Sequence, residues 1–500
     1  MSLKTLGAKV FAKRIRKKIN KWASNPVKTQ QRVFTNLITT AQNTDFGKDH
    51  GFQNIKTHAD FVENVPIRDY EKLKTYVDRV VEGEKNILWP GKPLYFAKTS
   101  GTTSGVKYIP LTKESMPTHI RAARNAILCY IEETGKTDFV NGKMIFLQGS
   151  PEMSKKNGVM LGRLSGIVAH YVPKYLQKNR MPSWETNCIE DWEQKVDAIV
   201  EETVDQDMTI ISGIPPWVQM YFEKLQQKTN KKIGELFKGF ELFIYGGVNF
   251  EPYKATFEKL IGRKVPGIEL YPASEGFFAF QDNQTEKGML LQLDSGMFYE
   301  FVKAEEFFEE NPKRLTIGEV EIGVNYVMLI STNAGLWAYN VGDTVQFTNT
   351  SPYRLIVSGR IKHFISAFGE HVIGKEVDQA LKEGVAVTGG ATINDFTVAP
   401  QVTPDNNDLP YHEWFIEFSE IPENIDSLAL EIEKSLRKQN SYYNDLIEGK
   451  ILRSLKITTV PKDGFKNYMK SIGKLGGQNK LPRLSNDRNI ANTLTAMINK

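Results

Sequence analysis

YFAKTSGTTSGVKYIPLT, running from Tyr95 to Thr112, is the stretch from which the rest of this 500-residue chain is read. It begins apolar and β-prone at Tyr95 and Phe96, passes through small hydroxylic residues and glycines, and reaches a cation at Lys107. Gly101 and Gly105 free the backbone for a tight concavity into which successive N–H groups point. Thr99, Ser100, Thr102, Thr103 and Ser104 surround those amides with hydroxyl donors, and Lys107 adds a point charge suited to phosphate. At an effective dielectric of about 20, a charge pair roughly 4 Å apart is worth about 4 kcal/mol before desolvation. The spacing Gly101-x3-Gly105-x-Lys107 is not that of a Walker loop, which needs four residues between glycine and Gly-Lys-Ser/Thr. Read alone, the string is equally compatible with a polyphosphate cradle and with a polar turn between strands.

Outward from this loop, composition sets bounds. Five hundred residues exceed what one core holds, so two or more domains are expected, and 40% apolar with 11% aromatic residues can fill them. No apolar run of about 18 residues is present, and the first residues lack the apolar core and cleavage site of a signal peptide. Cys129 and Cys188 are the only cysteines, too few and too far apart for a disulfide framework or a zinc site. The seven histidines show no metal-ligand spacing. A reducing cytoplasm is the simplest compartment. The net charge of +5 is uneven: the first 44 residues hold ten Lys or Arg and no Asp or Glu, leaving a net −5 on the remainder. Leu6, Val10, Phe11, Ile15, Ile19 and Trp22 recur at helical spacing among Lys13, Arg14, Lys17, Lys18 and Lys21, which predicts a basic amphipathic helix. Two readings stand: a helix lying on a membrane surface, or one docked on its own domain.

Helices are expected over Gln30–Gln42, Tyr70–Glu82, Lys113–Thr134, Trp184–Val204 and Pro215–Lys228, with strands at Lys143–Gly149, Thr209–Ser212, Glu241–Tyr245 and Gly267–Tyr271. That alternation predicts an α/β sheet with ligands at the carboxyl ends of its strands. From Gly288 to Val357 the pattern turns to strands, which predicts a β-rich, barrel-like subdomain attached to the sheet. After that, helix and strand patterns over Gly374–Thr459 predict a smaller α+β domain.

Three further strings carry chemistry. Gly246-Gly247-Val248 ends an apolar strand, and its glycines would let a flat ring approach the backbone; a plain strand-to-helix turn is the other reading. LYPASEGFFAF (Leu270–Phe280) sets Tyr271, Ser274 and Glu275 after a strand, where a ring can stack on a base and a carboxylate can hold Mg²⁺ facing phosphate. YNVGDTV (Tyr339–Val345) offers Asp343 at a glycine turn, where a carboxylate can accept both hydroxyls of a ribose. Phe277, Phe278 and Trp337 fit either an apolar acyl site or core packing.

The loop string and its approach, VPIRDYEKLKTYVDRVVEGEKNILWPGKPLYFAKTSGTTSG, resemble the acyl-adenylate-forming enzymes. They most resemble the branch known from plants as auxin-responsive acyl-acid amido synthetases, of which this chain looks like a shorter, bacterial-type or otherwise non-plant-like member. The resemblance runs from about Phe46 to Leu484 and includes Tyr-x-x-Ser-Glu about 170 residues after the loop, Tyr-x-x-Gly-Asp, and Gln-x-Lys-x-Pro-Arg near the end. It implies an α/β fold with a large N-terminal adenylating domain (1–360) and a mobile C-terminal lid (361–500), joined at a hinge at Arg360–Lys362. It implies ATP and Mg²⁺. Adenine would lie against Gly246, Gly247 and Val248, with Tyr271 and Ser274 beside it. Glu275 would take the metal, Asp343 the ribose, and Arg360 would lie near the nucleotide. Lys480 would be carried to the reacting phosphate by the lid and, with Lys107 and Glu275, would form the catalytic set. Many relatives have lysine after the hinge's Gly-Glu pair where this chain has His371, whose charge at a phosphate would depend on pH. The implied reaction couples a small carboxylic acid to AMP and then passes the acyl group to an amine such as an amino acid. A monomer is expected, with no nucleic acid partner and at most weak membrane contact through the basic helix. Coenzyme A as acceptor is the alternative; a non-catalytic nucleotide binder with a membrane-surface helix is another.

Overall fold

The apolar runs Met208–Gly213, Leu242–Gly246 and Gly267–Pro272 pair in parallel, as expected of strands covered on both faces. The computed structural model describes all residues except 1–2, 101–105, 173–176, 248–249, 362–363, 366, 369, 371, 403, 405–407, 449–450, 476–480, 486 and 499–500. It divides into two compact units, one of Met1–Phe250 with Phe257–Val357, the other of Ser358–Lys500 with Glu251–Thr256.

The large unit is built on an 11-stranded sheet. From one edge its order is Met297–Lys303, Asn325–Thr332, Tyr339–Thr350, Tyr353–Arg360, Met289–Leu291, Phe277–Phe280, Gly267–Pro272, Leu242–Gly246, Met208–Gly213, Lys143–Phe146 and Arg180–Met181. The last five are mutually parallel and the described pairings among the others are antiparallel. The β-rich stretch is thus joined to the α/β part by unbroken strand pairing, and the described pairings close no barrel. A second sheet of four strands is ordered Val106–Leu111, Tyr95–Ser100, Val159–Gly162, Ser154–Lys156. The predicted helix Trp184–Val204 is two helices, Trp184–Cys188 and Trp192–Thr203. Asp191 interrupts it because its side chain accepts from the Gln194 N–H and caps the second helix. Phe277, Phe278 and Trp337 are core residues, at most 3% exposed.

The basic helix spans Leu3–Ala23 and is docked. Ala12, Ile15 and Ile19 are buried against the helix Met116–Thr134 and the sheet. Arg16 reaches past Glu132 (3.2 Å) to the buried Asp282 (2.8 Å), which Arg354 also contacts at 3.1 Å. Leu6, Val10 and Phe11, counted with the packing face from the sequence, are 54%, 66% and 40% exposed, because the seam runs along Ala12–Ile15–Ile19. Among the described residues no helix is long and apolar enough to cross a membrane.

The small unit has a three-stranded sheet, Thr392–Gln401, Tyr411–Glu420 and Lys456–Val460, the first pair antiparallel and the second parallel. Helices Gly374–Thr388 and Ile425–Gln439 pack together beside it, and Trp414 stacks on Phe396 with centroids 5.7 Å apart.

A buried carboxylate organises the edge of the large sheet. Glu300 is fully buried on Met297–Lys303; Arg314 donates to both its oxygens at 2.8 Å and the His58 ring lies 2.8 Å from one of them. Burial alone would raise this carboxyl, but the Arg314 charge and the hydrogen bonds from His58 and Arg314 outweigh it and hold Glu300 below its usual range. Glu300→Leu should cost about 3–5 kcal/mol at pH 7, because Arg314 is left buried without a counter-charge. The depressed carboxyl stabilises fully above its unfolded pKa of about 4.3 and ceases to as the pH falls through its lower folded value. Urea unfolding should therefore show the gap between the two proteins narrowing below about pH 4.

Candidate active site

The quoted stretch forms a hairpin. Tyr95–Ser100 and Val106–Leu111 pair antiparallel with Thr99 opposite Lys107 and Ser100 opposite Val106, so residues 101–105 connect them. Gly101, Thr102, Thr103, Ser104 and Gly105 lie outside the described residues, as does the side chain of Ser100. Lys107 leans its ammonium over the Tyr70 ring at 5.4 Å, and the Tyr108 N–H donates to the Tyr70 phenol oxygen at 2.9 Å. Tyr70 begins the helix Tyr70–Val81, whose cap Asp69 accepts from the Lys72 N–H at 3.1 Å. Both the ring under the cation and the bond to its strand therefore come from one helix start.

The parallel strands supply the next wall. Gly246 is paired with Leu270, and a Cβ on Gly246 would lie 2.3 Å from the Leu270 carbonyl oxygen, so only glycine fits. Gly247 follows with φ +85°, a left-handed turn that carries the chain off the sheet. Val248 lies outside the described residues. One residue past Leu270, the Tyr271 phenol donates to Asp343 Oδ2 at 2.7 Å, and its ring is packed edge to face on Phe278 at 4.9 Å. Ser274 is buried and Glu275 half-buried in the turn closed by bonds between Ala273 and Gly276.

Asp343 sits differently from the sequence expectation. It lies inside the continuous strand Tyr339–Thr350, at a bulge. Leu329 pairs with Asn340 and Val327 with Thr344, so Met328 alone faces Val341, Gly342 and Asp343. Gly342 takes φ +86° there, and its N–H donates to Asn340 Oδ1 at 2.8 Å. Bulges re-aim side chains, and this one leaves Asp343 on the Tyr271 phenol. The start of the same strand is clamped by Arg68, whose N–H donates to Ala338 O (3.1 Å) and whose carbonyl accepts from Asn340 N–H (2.7 Å). Burial, then the charges of Glu275 and Asp69, push the Tyr339 phenol well above its usual range. Within the large unit Lys107 thus meets Tyr70, the charge of Glu275 bears on Tyr339, and Asp343 meets Tyr271 beside the strand partner of Gly246.

In the small unit Arg360 is exposed at the end of Tyr353–Arg360, while His371 and Lys480 lie outside the described residues. The chain immediately after Lys480 is stitched into the sheet. Val398 N–H donates to Arg483 O (2.9 Å), Ser485 N–H to Val398 O (3.0 Å), and the Thr397 hydroxyl to Pro482 O (2.6 Å). Arg483 pairs with Asp395 and donates to Phe396 O at 3.0 Å, its guanidinium over the Phe396 ring.

One element escaped the sequence reading. A groove of about 230 Å³ is lined by Leu94, Met116, Pro117, Ile120 and Tyr171, with Lys113 and Arg121 supplying cations. Tyr171 donates its phenol to Tyr95 at 2.9 Å, tying the groove to the first strand of the hairpin. Its signal was present: Lys113, Met116, Pro117, Ile120 and Arg121 recur at helical spacing directly after the hairpin. Leu94 and Tyr171, contributed from elsewhere in the chain, are what make it concave.

Three family models match the chain: the GH3 family N-terminal domain over residues 15–191, the central domain over 290–360 and the C-terminal domain over 375–489. The chain belongs to the GH3 family. Among curated relatives, indole-3-acetic acid-amido synthetase GH3.3 of Arabidopsis thaliana is 20% identical over 541 residues, covering 91% of this chain and 88% of that one. Jasmonoyl–L-amino acid synthetase JAR4 of Nicotiana attenuata is 21% identical over 398 residues, covering 65% and 68%. The solved structure of GH3.15 acyl acid amido synthetase superposes with a TM-score of 0.79 at 16% identity, covering 96% of this chain and 95% of that one. A 2-hydroxyisobutyryl-CoA ligase in the postadenylation state gives 0.58 at 12% identity, covering 94% and 91%. The fold is therefore that of the GH3 amido synthetases. Within this GH3 chain, Gly246→Ala should destabilise the large unit by about 1–3 kcal/mol through the clash with the Leu270 carbonyl. Urea unfolding at neutral pH measures it, and a neutral substitution would mean that the two strands separate freely.

Proposed function

We propose that the chain is an ATP-dependent acid–amine ligase, which joins a small carboxylic acid to AMP with release of pyrophosphate and then passes the acyl group to an amine such as an amino acid. The observation that carries this reading is the hydrogen bond that sets Asp343 on the Tyr271 phenol, one residue past the strand partner of Gly246, in the unit that also holds Lys107 and Glu275. Membership of the GH3 family and the amido synthetase names of its relatives support the same reading.

A carboxylate is a poor acylating agent because oxide leaves badly; the mixed anhydride with AMP has a good leaving group. In the first step a carboxylate oxygen attacks the α-phosphorus and the bond to pyrophosphate breaks. In the second an amine nitrogen attacks the acyl carbon, loses its proton, and AMP departs. Asp343, oriented by the Tyr271 phenol, accepts the ribose hydroxyls, and the base lies along the Gly246–Gly247 backbone. We assign Lys107 and the glycine- and hydroxyl-rich string of residues 99–105 to the phosphates, where such donors offset charge spreading over the phosphoryl oxygens. Among the described residues no three acidic, histidine or cysteine side chains gather to hold a metal. Mg²⁺ is usually held by one or two carboxylates together with substrate phosphates, so half-buried Glu275 fits it as a single ligand. Bound there, the metal would supply positive charge to the phosphate oxygens. The groove of Leu94, Met116, Ile120 and Tyr171 takes the apolar body of the acid, with Arg121 or Lys113 for its carboxylate. By the Gln-x-Lys-x-Pro-Arg motif, Lys480 is the residue we assign to the reacting phosphate, with the exclusion of water that such a lysine's loop brings; Arg360 and His371 are assigned to the nucleotide on the same resemblance.

The test is acid-dependent exchange of labelled pyrophosphate into ATP over aromatic, indolic and fatty acids, followed by AMP release with amino acids or with coenzyme A. Exchange with one acid group and amine-dependent AMP release are expected; ATP binding without exchange for any acid would overturn the reading, and release driven by coenzyme A alone would replace amide formation by thioester formation. Lys480→Ala should bind ATP normally and slow exchange by about 10²-fold or more; an unchanged rate removes Lys480 from the mechanism.

A further inference from the structure

The helix Leu3–Ala23 has two faces that do different things. One face, Ala12, Ile15 and Ile19, is spent on the helix Met116–Thr134, and Arg16 is spent on Glu132 and Asp282. Lys13, Arg14, Lys17, Lys18 and Lys21 are all exposed, and among the described residues none of them enters an ion pair. Lys13, Lys17 and Lys21 stand four residues apart and so form one straight row. Val10 and Leu6, three and seven residues before Lys13, lie on the same face and are 66% and 54% exposed. Phe11 beside them is 40% exposed, with the Arg124 guanidinium 5.3 Å from its ring.

We propose that this outer face is a docking surface for an anionic lipid bilayer, with the Lys13–Lys17–Lys21 row on the headgroups and Leu6 and Val10 entering the boundary with the acyl chains. The argument rests on the pairing of two features. Uncompensated cations in a row suit any polyanion. Exposed aliphatic side chains in line with them gain only from a partner that offers an apolar layer beneath its charge, which an anionic bilayer does and a phosphate backbone does not. Docking through Ala12, Ile15 and Ile19, with Arg16 bonded to Asp282 at 2.8 Å, fixes the row in orientation before any surface is met, so binding orders nothing new. The face shares no residue with those assigned to nucleotide and acid.

Sedimentation of the full chain with phosphatidylcholine vesicles containing about 30% phosphatidylserine tests this. Binding is expected with the anionic vesicles, absent with phosphatidylcholine alone, and weakened as salt rises to about 0.5 M. The triple variant Lys13→Glu, Lys17→Glu, Lys21→Glu should lose binding about tenfold or more, each lysine adding its own attraction. Leu6→Asp with Val10→Asp should remove the part that survives high salt. All five positions are exposed, so both variants should unfold at the wild-type urea concentration. No sedimentation with anionic vesicles, or sedimentation that the triple variant leaves unchanged, overturns the proposal. Tighter binding to a duplex DNA of about 20 base pairs, lost in the same triple variant and indifferent to Leu6→Asp, would assign the row to nucleic acid instead and also overturns it.

Discussion

The buried carboxylate of Glu300 is the constraint on which the geometry of the large unit rests. A charge with no solvent is tolerated only if every oxygen is satisfied, and here the Arg314 fork and the His58 ring satisfy both. The remaining guanidinium nitrogen of Arg314, Nη1, donates to the Val65 carbonyl at 2.6 Å. That bond fixes the chain just after the helix His58–Asn64, three residues before Arg68. Arg68 then holds the strand Tyr339–Thr350 by its backbone, and Tyr70 holds the strand Val106–Leu111 by its phenol. From one ion pair on a sheet edge, order is passed by short covalent steps to both strands that carry Lys107 and Asp343.

The same economy shapes the middle of the sheet. Five strands run parallel, and the sense of pairing changes where Gly267–Pro272 meets Phe277–Phe280. Glu275 sits in the turn between those two strands. Parallel sheets direct their carboxyl ends to one side, which sets Gly246 and Tyr271 together; the antiparallel strands would send their side chains on in strict alternation. The three-against-one bulge at Met328 breaks that alternation, and the Tyr271 phenol captures the carboxylate it displaces. The interaction that the tyrosine offers is a hydrogen bond from its edge, with the ring itself packed on Phe278.

What could be read from the sequence follows the range of each interaction. The strands Met208–Gly213 and Leu242–Gly246 were legible because apolar runs bounded by turns need no knowledge of the partner. The turn between strands at Tyr95–Thr112 was one of two readings the string allowed, because Thr99 and Lys107 are close along the chain. The break at Asp191 was missed because a cap and an exposed helical aspartate look alike until the bond to Gln194 is seen. Asp343 was placed in a turn because Gly342 announces a positive φ without saying whether the strand stops or bulges. The helix Leu3–Ala23 was recognised by its period, yet its seam lies on Ala12, a residue too small to weigh in a hydrophobic pattern. The groove required Leu94, a helix and Tyr171 to meet, and no local string records that. Of the residues given roles by resemblance, Val248, His371 and Lys480 lie outside the described residues, so their roles rest on the motif alone.

The contact between Gly246 and Leu270 also separates two kinds of evidence. A side chain at 246 is refused by backbone atoms 2.3 Å away, whatever the protein binds. A descendant that had lost all chemistry and kept the sheet would still carry this glycine, so its survival records architecture. Lys107 answers to a different pressure: its ammonium rests on the face of a ring, and the strand beneath it is held by the Tyr108 amide instead. The sheet would tolerate its replacement. In a diverged copy of this fold the glycine would be kept by the sheet alone, whereas no backbone contact would keep the lysine.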